Sequence, residues 1–89
     1  MKKRQTRKPG EHLIEVLASN VRTLRRAQGV SQEELAARCG LHRTYVGSVE
    51  RGERNVTLST LEVLASVLRV SVPELLTPRR PDGKRDPTD

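Results

Sequence analysis

Twenty residues in the middle of the chain constrain its fold more than any other part of the sequence. In the run QEELAARCGLHRTYVGSVER, residues 32–51, apolar side chains recur at helical spacing on both sides of Gly40. Glycine adopts the left-handed backbone of a tight turn more readily than any other residue. Ala36 supplies a small side chain where two helices could cross, and Val46 and Val49 supply an inner face for the second segment. The pattern predicts two short helices joined by a tight turn.

The segment before this pair has the periodicity of one amphipathic helix. Its apolar residues recur at i, i+4, i+8 and i+11, namely Leu13, Leu17, Val21 and Leu24. They predict a first helix over about residues 12–28, which Gly29 ends. The second helix begins at Ser31, because Ser31 and Glu34 form the capping-box pattern that satisfies two backbone donors at a helix start. A third helix is predicted over about residues 42–51, with Gly52 as its C-terminal cap.

Two more helices are predicted after residue 56. Thr57 is a good N-cap, and the residues after it form one apolar stripe, Leu58, Leu61, Leu64, Ala65 and Leu68. Ser71 and Glu74 repeat the capping-box pattern before a short helical turn over residues 72–76. Because Tyr45 is the single aromatic residue, the core must be built from aliphatic side chains. The sequence therefore predicts an all-α domain of five compactly packed helices.

The excess charge of the chain lies mainly at its start. Residues 11–78 carry eight arginines and eight glutamates, whereas residues 1–10 carry five basic residues and no acidic ones. The sequence predicts a disordered basic arm at residues 1–10, a folded domain at 11–77 and a disordered tail at 78–89. The arm either adds solubility alone or follows DNA phosphates or a minor groove. The tail is nearly balanced in charge and is not expected to have a specific role.

Composition argues against several classes of protein. No apolar run is long enough for a membrane span, and none follows the basic start as a signal peptide requires, so a cytoplasmic location is expected. Cys39 is the only cysteine, and with His12 and His42 it completes no zinc ligand set, so neither a metal nor another cofactor is expected. We interpret Cys39 as a small buried apolar residue. No nucleophile beside a base and no phosphate-binding glycine loop is evident, which argues against an enzyme.

The third predicted helix has a polar face that is suited to DNA. Arg43, Thr44, Gly47, Ser48 and Arg51 share this face through i+3 and i+4 spacing. The major groove of DNA accepts one α-helix, and the guanidinium of Arg43 matches the two acceptors on a guanine edge. We predict base contacts by Arg43, Thr44, Gly47 and Ser48. Gly47 permits a close approach either of DNA or of the second helix, and the sequence leaves both open.

The motifs of this region resemble those of the Cro and lambda-repressor-type helix-turn-helix family. The family pattern runs Ser-Gln-Glu-Glu-Leu-Ala, then Gly-Leu, Tyr-Val and Glu-Arg-Gly, and each piece is present between residues 31 and 52. The likeness covers roughly residues 13–77. The run HRTYVGSVERGERNVTLSTLE is most similar to the controller proteins of restriction-modification systems. The resemblance implies a lambda-repressor-like fold and a transcriptional regulator whose partner is double-stranded DNA.

The resemblance also implies roles outside the base-reading face. Phosphate contacts are expected from the second helix, the third helix and the loop after it, through Gln32, Tyr45, Arg51, Arg54 and Asn55. A partly buried structural role for Tyr45 is equally open. Arg25 and Glu50 correspond to an internal ion pair between the first and third helices. Pairing of the C-terminal helices implies a homodimer, although the interface residues could instead belong to the core of one chain; they are Val63, Val67, Val70, Val72 and Leu75.

The sequence thus predicts a transcriptional regulator that binds operator DNA as a homodimer, with residues 42–51 in the major groove. The alternative is an antitoxin or a protein-interaction adaptor built on the same fold. A pure adaptor would not need an exposed polar helix face that begins with an arginine. The DNA-binding interpretation is therefore favoured.

Overall fold

Five helices make up the part of the chain that the structure describes. The computed structural model describes residues 8–79, so residues 1–7 of the predicted arm and 80–89 of the predicted tail lie outside it. The helices are α1 (Glu11–Ala27), α2 (Gln32–Cys39), α3 (Arg43–Glu50), α4 (Leu58–Leu68) and α5 (Val72–Leu75). The predicted five-helix, all-α fold is confirmed. No helix within residues 8–79 is long and apolar enough to cross a membrane.

Side-chain caps fix the starts of three helices. The Ser31 hydroxyl accepts a hydrogen bond from the Glu34 amide at 3.0 Å, and the Glu34 carboxylate accepts one from the Ser31 amide at 2.9 Å. Ser71 and Glu74 form the same reciprocal pair at the start of α5, and the Thr57 hydroxyl caps α4. Each cap satisfies a backbone donor that has no partner within its helix. The three predicted caps are confirmed.

One aliphatic core holds the five helices together. Its most deeply buried large side chains come from every helix: Val21, Leu35, Val46, Leu64, Leu68 and Leu75. Tyr45 only borders this core. Cys39 also packs against it, and burial raises the pKa of the Cys39 thiol. A thiol that stays protonated is a poor nucleophile, which agrees with the expected apolar role of this residue.

The apolar stripes of α1 and α4 begin one turn before the core does. The sequence placed Leu13 and Leu58 on the apolar stripes of their helices, but these two residues are 50% and 78% exposed. Both lie in the first turn of their helix, where they line a surface groove together with Ile14 and Leu76. Periodicity identifies the inner face of a helix but not the point at which its neighbour ends.

The turn between α2 and α3 sets how α3 is presented. Gly40 has a φ of 71°, the left-handed conformation expected for this position. The amide of Leu41 donates to the carbonyl of Ala36 at 2.8 Å and closes the turn. Val46 and Val49 are buried against α1 and α2. The first turn of α3, with Arg43 and Thr44, remains exposed.

A buried ion pair ties α3 to α1. Nε of Arg25 lies 2.6 Å from Oε2 of Glu50, and Nη2 donates to Oε1 at 3.1 Å. The side chains of Arg25 and Glu50 are only 11% and 3% exposed. The remaining Nη1 of Arg25 donates to the carbonyl of Val30 at 2.9 Å. The two-bond geometry and the additional acceptor offset the free-energy cost of removing these two charges from water.

Two further donors converge on Glu50. Nε2 of Gln32 donates to Oε1 of Glu50 at 3.0 Å, which connects α2 to the same carboxylate. Nη1 of Arg22 donates to the backbone carbonyl of Glu50 at 2.8 Å. This carbonyl is at the end of α3, where helical carbonyls have no partner within the helix and a cation is favourable. Side chains of α1 and α2 thus hold the last residue of α3 from two directions.

A buried asparagine anchors the chain beyond α5. Nδ2 of Asn20 donates to the carbonyl of Leu75 at 2.8 Å and to that of Thr77 at 2.9 Å. Pro78 then lies beside the N-terminal half of α1, where it lines a small recess with His12 and other residues of that helix. The described C-terminal segment is therefore fixed against α1.

Arg25→Ala should destabilise the domain strongly, because Glu50 then remains buried without its ion-pair partner. Breaking a buried pair lowers the free energy of unfolding by about 3 to 5 kcal/mol, and each kcal/mol lowers the Tm of a small domain by about 4 to 8 °C. Arg26→Ala is the matched control, since Arg26 is exposed in the same helical turn. Thermal unfolding followed by circular dichroism should separate the two variants. Equal melting temperatures would contradict the structural role of Arg25.

Candidate nucleic-acid interface

The structure divides the four candidates for base contact into two pairs. Arg43 and Thr44, in the first turn of α3, are exposed. Gly47 and Ser48, one turn later, are buried in the folded chain. The exposed part of α3 is therefore its N-terminal end, which is the part that enters the major groove most deeply in helix-turn-helix complexes.

The environment of Ser48 argues against the predicted base contact. The whole residue is only 5% exposed. The hydroxyl donates its only hydrogen to the carbonyl of Tyr45 at 2.7 Å and accepts a hydrogen bond from Nε of Arg54 at 2.9 Å. A serine has a single donor. Ser48 would have to give up its bond to Tyr45 before it could donate to a base.

The space beside Gly47 is bordered by side chains of the protein itself. A Cβ at this position would lie 3.2 Å from Nη1 of Arg51 and 3.7 Å from Oε1 of Gln32. Gln32 belongs to α2, so α2 does reach this glycine, but only through the end of a side chain. The absence of a Cβ lets Gln32 and Arg51 lie over α3 at this point.

The side chain of Gln32 is oriented by Glu50. A carboxylate can only accept hydrogen bonds, so the amide nitrogen of Gln32 faces Glu50. The amide nitrogen carries a second hydrogen, and Gln32 is only partly buried at the start of α2. Free backbone donors and the helix dipole at this position favour an anion such as a phosphate.

The end of α3 is a rigid turn. Gly52 has a φ of 74°, and its amide donates to the carbonyl of Val49 at 3.0 Å. The amide of Glu53 donates to the carbonyl of Ser48 at 2.9 Å. These two bonds form the Schellman arrangement, in which a left-handed glycine closes a helix. The predicted role of Gly52 as a cap is confirmed.

Two arginines after α3 are held in different ways. Arg51 forms two hydrogen bonds with the carboxylate of Glu53, from Nε at 3.1 Å and from Nη2 at 3.2 Å. Arg54 donates to Ser48, and its guanidinium carbon lies 5.2 Å from the centre of the Tyr45 ring. This is the geometry of a cation–π contact. Tyr45 is half-buried and therefore has the structural contact that the sequence left open, while its position beside Arg54 keeps it near the candidate interface.

The remaining predicted residues lie at the surface or in the core. Asn55 is exposed in the loop before α4. Among the predicted dimer residues, Val63 is 38% exposed. Three others are partly buried against the core, namely Val67, Val70 and Val72. Leu75 has no exposed surface. Its predicted place in the dimer interface is corrected, because its side chain fills the core of the single chain.

Sequence reasoning missed two residues of this region. Arg22 lies three residues before Arg25, a spacing that places both on one side of α1, and this spacing could have indicated its contact with α3. Glu53 follows Arg51 by two residues, but no helical periodicity applies in a loop. In residues 8–79 no group of three or more His, Cys, Asp or Glu side chains is placed to hold a metal ion.

Comparison with known proteins identifies the family. The model of a family described as "Helix-turn-helix" matches residues 21–75, which include all of α2, α3, α4 and α5. The chain belongs to the helix-turn-helix family. It is a DNA-binding transcriptional regulator of this type, and its relatives include restriction-modification control proteins.

Individual relatives support this assignment. Control protein C.SmaI of Serratia marcescens is 65% identical over 63 residues, which are 71% of this helix-turn-helix chain and 75% of the relative. The crystal structure of a hypothetical transcription factor from Neisseria superposes with a TM-score of 0.73 at 46% identity, over 86% of this chain and 90% of the other.

A third relative has been solved with DNA. It is the restriction-modification controller protein C.Esp1396I, as a tetramer in complex with its natural 35 base-pair operator. The TM-score is 0.65 at 34% identity, and the match covers 72% of this chain and 88% of that one.

Proposed function

We propose that residues 11–77 form a domain that binds operator DNA as a homodimer, with α3 in the major groove. The observation that carries this proposal is the orientation of α3, whose apolar side is buried while Arg43 and Thr44 at its start are exposed. The operator complex of the relative C.Esp1396I supports a DNA partner. The relatives are transcriptional regulators, which supports a binding protein and not an enzyme. A DNA partner also implies a cytoplasmic location.

In this proposal Arg43 is the principal base reader. Its fork of donors can bond the two acceptors of a guanine edge, and Thr44 beside it can reach a base or a phosphate. Gly47 is not assigned a base contact, because it is buried and the side chains of Gln32 and Arg51 lie over it. Arg43 lies at the exposed start of α3, so it can reach a base while the later part of the helix stays packed in the core.

Phosphate contacts come from both ends of the helix pair. Gln32 contributes a phosphate contact from the start of α2. The other phosphate contacts come from α3 and the loop after it, namely Tyr45, Arg51, Arg54 and Asn55. These contacts set the register and affinity of binding and carry no sequence information themselves. We assign Ser48 a positioning role outside this group, because its hydroxyl accepts a hydrogen bond from Arg54.

The proposed dimer interface is reduced by one residue from the predicted set. The remaining candidates are Val63 and Val67 on α4, Val70 in the loop that follows and Val72 on α5. Leu75 is removed because it is buried. A dimer would place two copies of α3 on successive turns of one face of DNA. The two half-sites should then lie about 10 base pairs apart.

Arg43→Ala should remove the preference for one base in each half-site. Loss of a two-bond contact to guanine should weaken operator binding by about 10- to 100-fold, which corresponds to about 1 to 3 kcal/mol. Selection of bound duplexes from a random pool, repeated with the variant, measures both effects. Arg38→Ala removes the same charge from an exposed position in α2 and is the control. An unchanged base preference in Arg43→Ala would reject Arg43 as the reader.

Ser48→Ala should weaken binding to all duplexes alike and leave the base preference intact. Without its acceptor, Arg54 must be ordered on binding, which costs up to about 1 kcal/mol, or about five-fold in affinity. Ser66→Ala changes an exposed serine of α4 and is the control. Binding curves on operator and random duplexes provide the measurement. A change of preference at one base position would show that Ser48 contacts that base directly.

Val63→Lys should convert a dimer into a monomer without unfolding the domain. Val63 is partly exposed in the single chain, so a lysine costs little there, but a charge buried in an interface without a partner is unfavourable. Ala37→Lys, at an exposed position of α2, is the control. Sedimentation velocity should show a dimer for the control and a monomer for Val63→Lys. Dimers in both cases would locate the interface elsewhere.

A further inference from the structure

Three charged residues lie together at the C-terminal end of α3. Arg51 is the first residue after the helix, and Glu53 and Arg54 follow Gly52. The carboxylate of Glu53 accepts hydrogen bonds from Nε and Nη2 of Arg51, one to each oxygen. This two-bond arrangement is the one that an arginine also makes with a phosphate. The predicted phosphate ligand Arg51 is thus already bound to an anion of its own chain.

The position of Glu53 is fixed by the backbone. Its amide is bonded to the carbonyl of Ser48, and the left-handed Gly52 joins it to the helix end. The carboxylate of Glu53 consequently stays within reach of Arg51 without relying on a mobile loop. Hydrogen bonds from Arg51, together with the charges of Arg51 and Arg54, lower the pKa of Glu53. Glu53 is therefore ionised at neutral pH.

Stability of the fold gives little reason for this pair. The side chains of Arg51 and Glu53 are 61% and 55% exposed, and exposed ion pairs contribute little to folding. A carboxylate near the C-terminal end of a helix is also disfavoured by the helix dipole. The main physical effect of Glu53 is therefore on the guanidinium of Arg51 and on whatever anion approaches it.

We propose that Glu53 is an internal competitor of the DNA phosphate for Arg51, and that it lowers and thereby sets the affinity of the protein for DNA. This role rests on the DNA-binding function proposed above. When DNA binds, Arg51 exchanges the carboxylate of Glu53 for a backbone phosphate, and Glu53 is left in solvent. The exchange reduces the net gain from this contact on every DNA sequence, operator or not.

Arg54 shows the contrast. It is held by the hydroxyl of Ser48 and the ring of Tyr45, which are neutral groups. Its charge is therefore not neutralised by a hydrogen-bonded carboxylate in the way that the charge of Arg51 is. Two arginines three residues apart thus differ in how much of their charge is offered to DNA.

The test compares Glu53→Gln with Glu62→Gln. Both variants remove one negative charge, but Glu62 is exposed on α4, away from the end of α3. Release of an exposed ion pair should tighten DNA binding by about two- to five-fold in Glu53→Gln relative to Glu62→Gln. The slope of log K against log salt concentration should stay similar in the two variants, because Arg51 contacts the same phosphate in both complexes. Equal affinities for the two variants would overturn the proposal.

A second background separates competition from simple repulsion. In Arg51→Ala protein, Glu53→Gln should give no more tightening than Glu62→Gln, because the residue that it releases is absent. The same gain in this background would mean that Glu53 only repels phosphate, and the competitor role would be rejected. Melting temperatures of Glu53→Gln and the unmodified protein should agree, and a clear loss of stability would make the pair a structural contact instead.

The duplexes used are the DNA immediately upstream of the coding sequence and a random duplex of equal length. If the unmodified protein binds neither, the DNA-binding function fails, and the role of Glu53 fails with it. If the protein binds but the two glutamine variants behave alike, only the role of Glu53 fails. Binding to both duplexes with the expected gain supports the proposal.

Discussion

The carboxylate of Glu50 is the point on which the presentation of α3 depends. It accepts bonds from Arg25 of α1 and Gln32 of α2, and the backbone carbonyl of the same residue accepts one from Arg22. A short helix of eight residues has little stability of its own. Its position must therefore come from its contacts, and these bonds fix its C-terminal end while Val46 and Val49 fix its inner side.

The arginines of this small domain fall into different physical situations. Arg25 is buried and paired, so it serves the fold. Arg54 is held by neutral groups, and Arg51 is held by an acid at the surface. Arg43 is exposed at the start of α3. A count of net charge treats these residues as equal, but the contacts of each one decide how strongly it can act on an approaching anion.

Local signals in the sequence were sufficient for the helices and their ends. Ser31, Thr57 and Ser71 cap helices through contacts that span three residues, and Gly40 and Gly52 end them through their own backbone conformation. Such features depend on neighbours in the chain, so a sequence reveals them. The fold class follows, because five helices with aliphatic stripes have few ways to bury those stripes.

Features that depend on what packs around a side chain were predicted less well. Ser48 was placed on the polar face of α3 by its spacing, but its hydroxyl is taken by Tyr45 and Arg54. Leu75 was assigned to an interface, yet the core of a single chain encloses it. The helical spacing of a residue shows the direction in which its side chain points, but it does not show which groups surround that side chain in the fold. The contact of Asn20 with the carbonyls of Leu75 and Thr77 belongs to the same class.

The contact of Asn20 with the segment beyond α5 also has an architectural result. This segment returns along α1 toward His12, so the two ends of the described chain leave the domain from neighbouring positions. A short linker can therefore join the two ends, which is the arrangement that makes circular permutation of a domain tolerable.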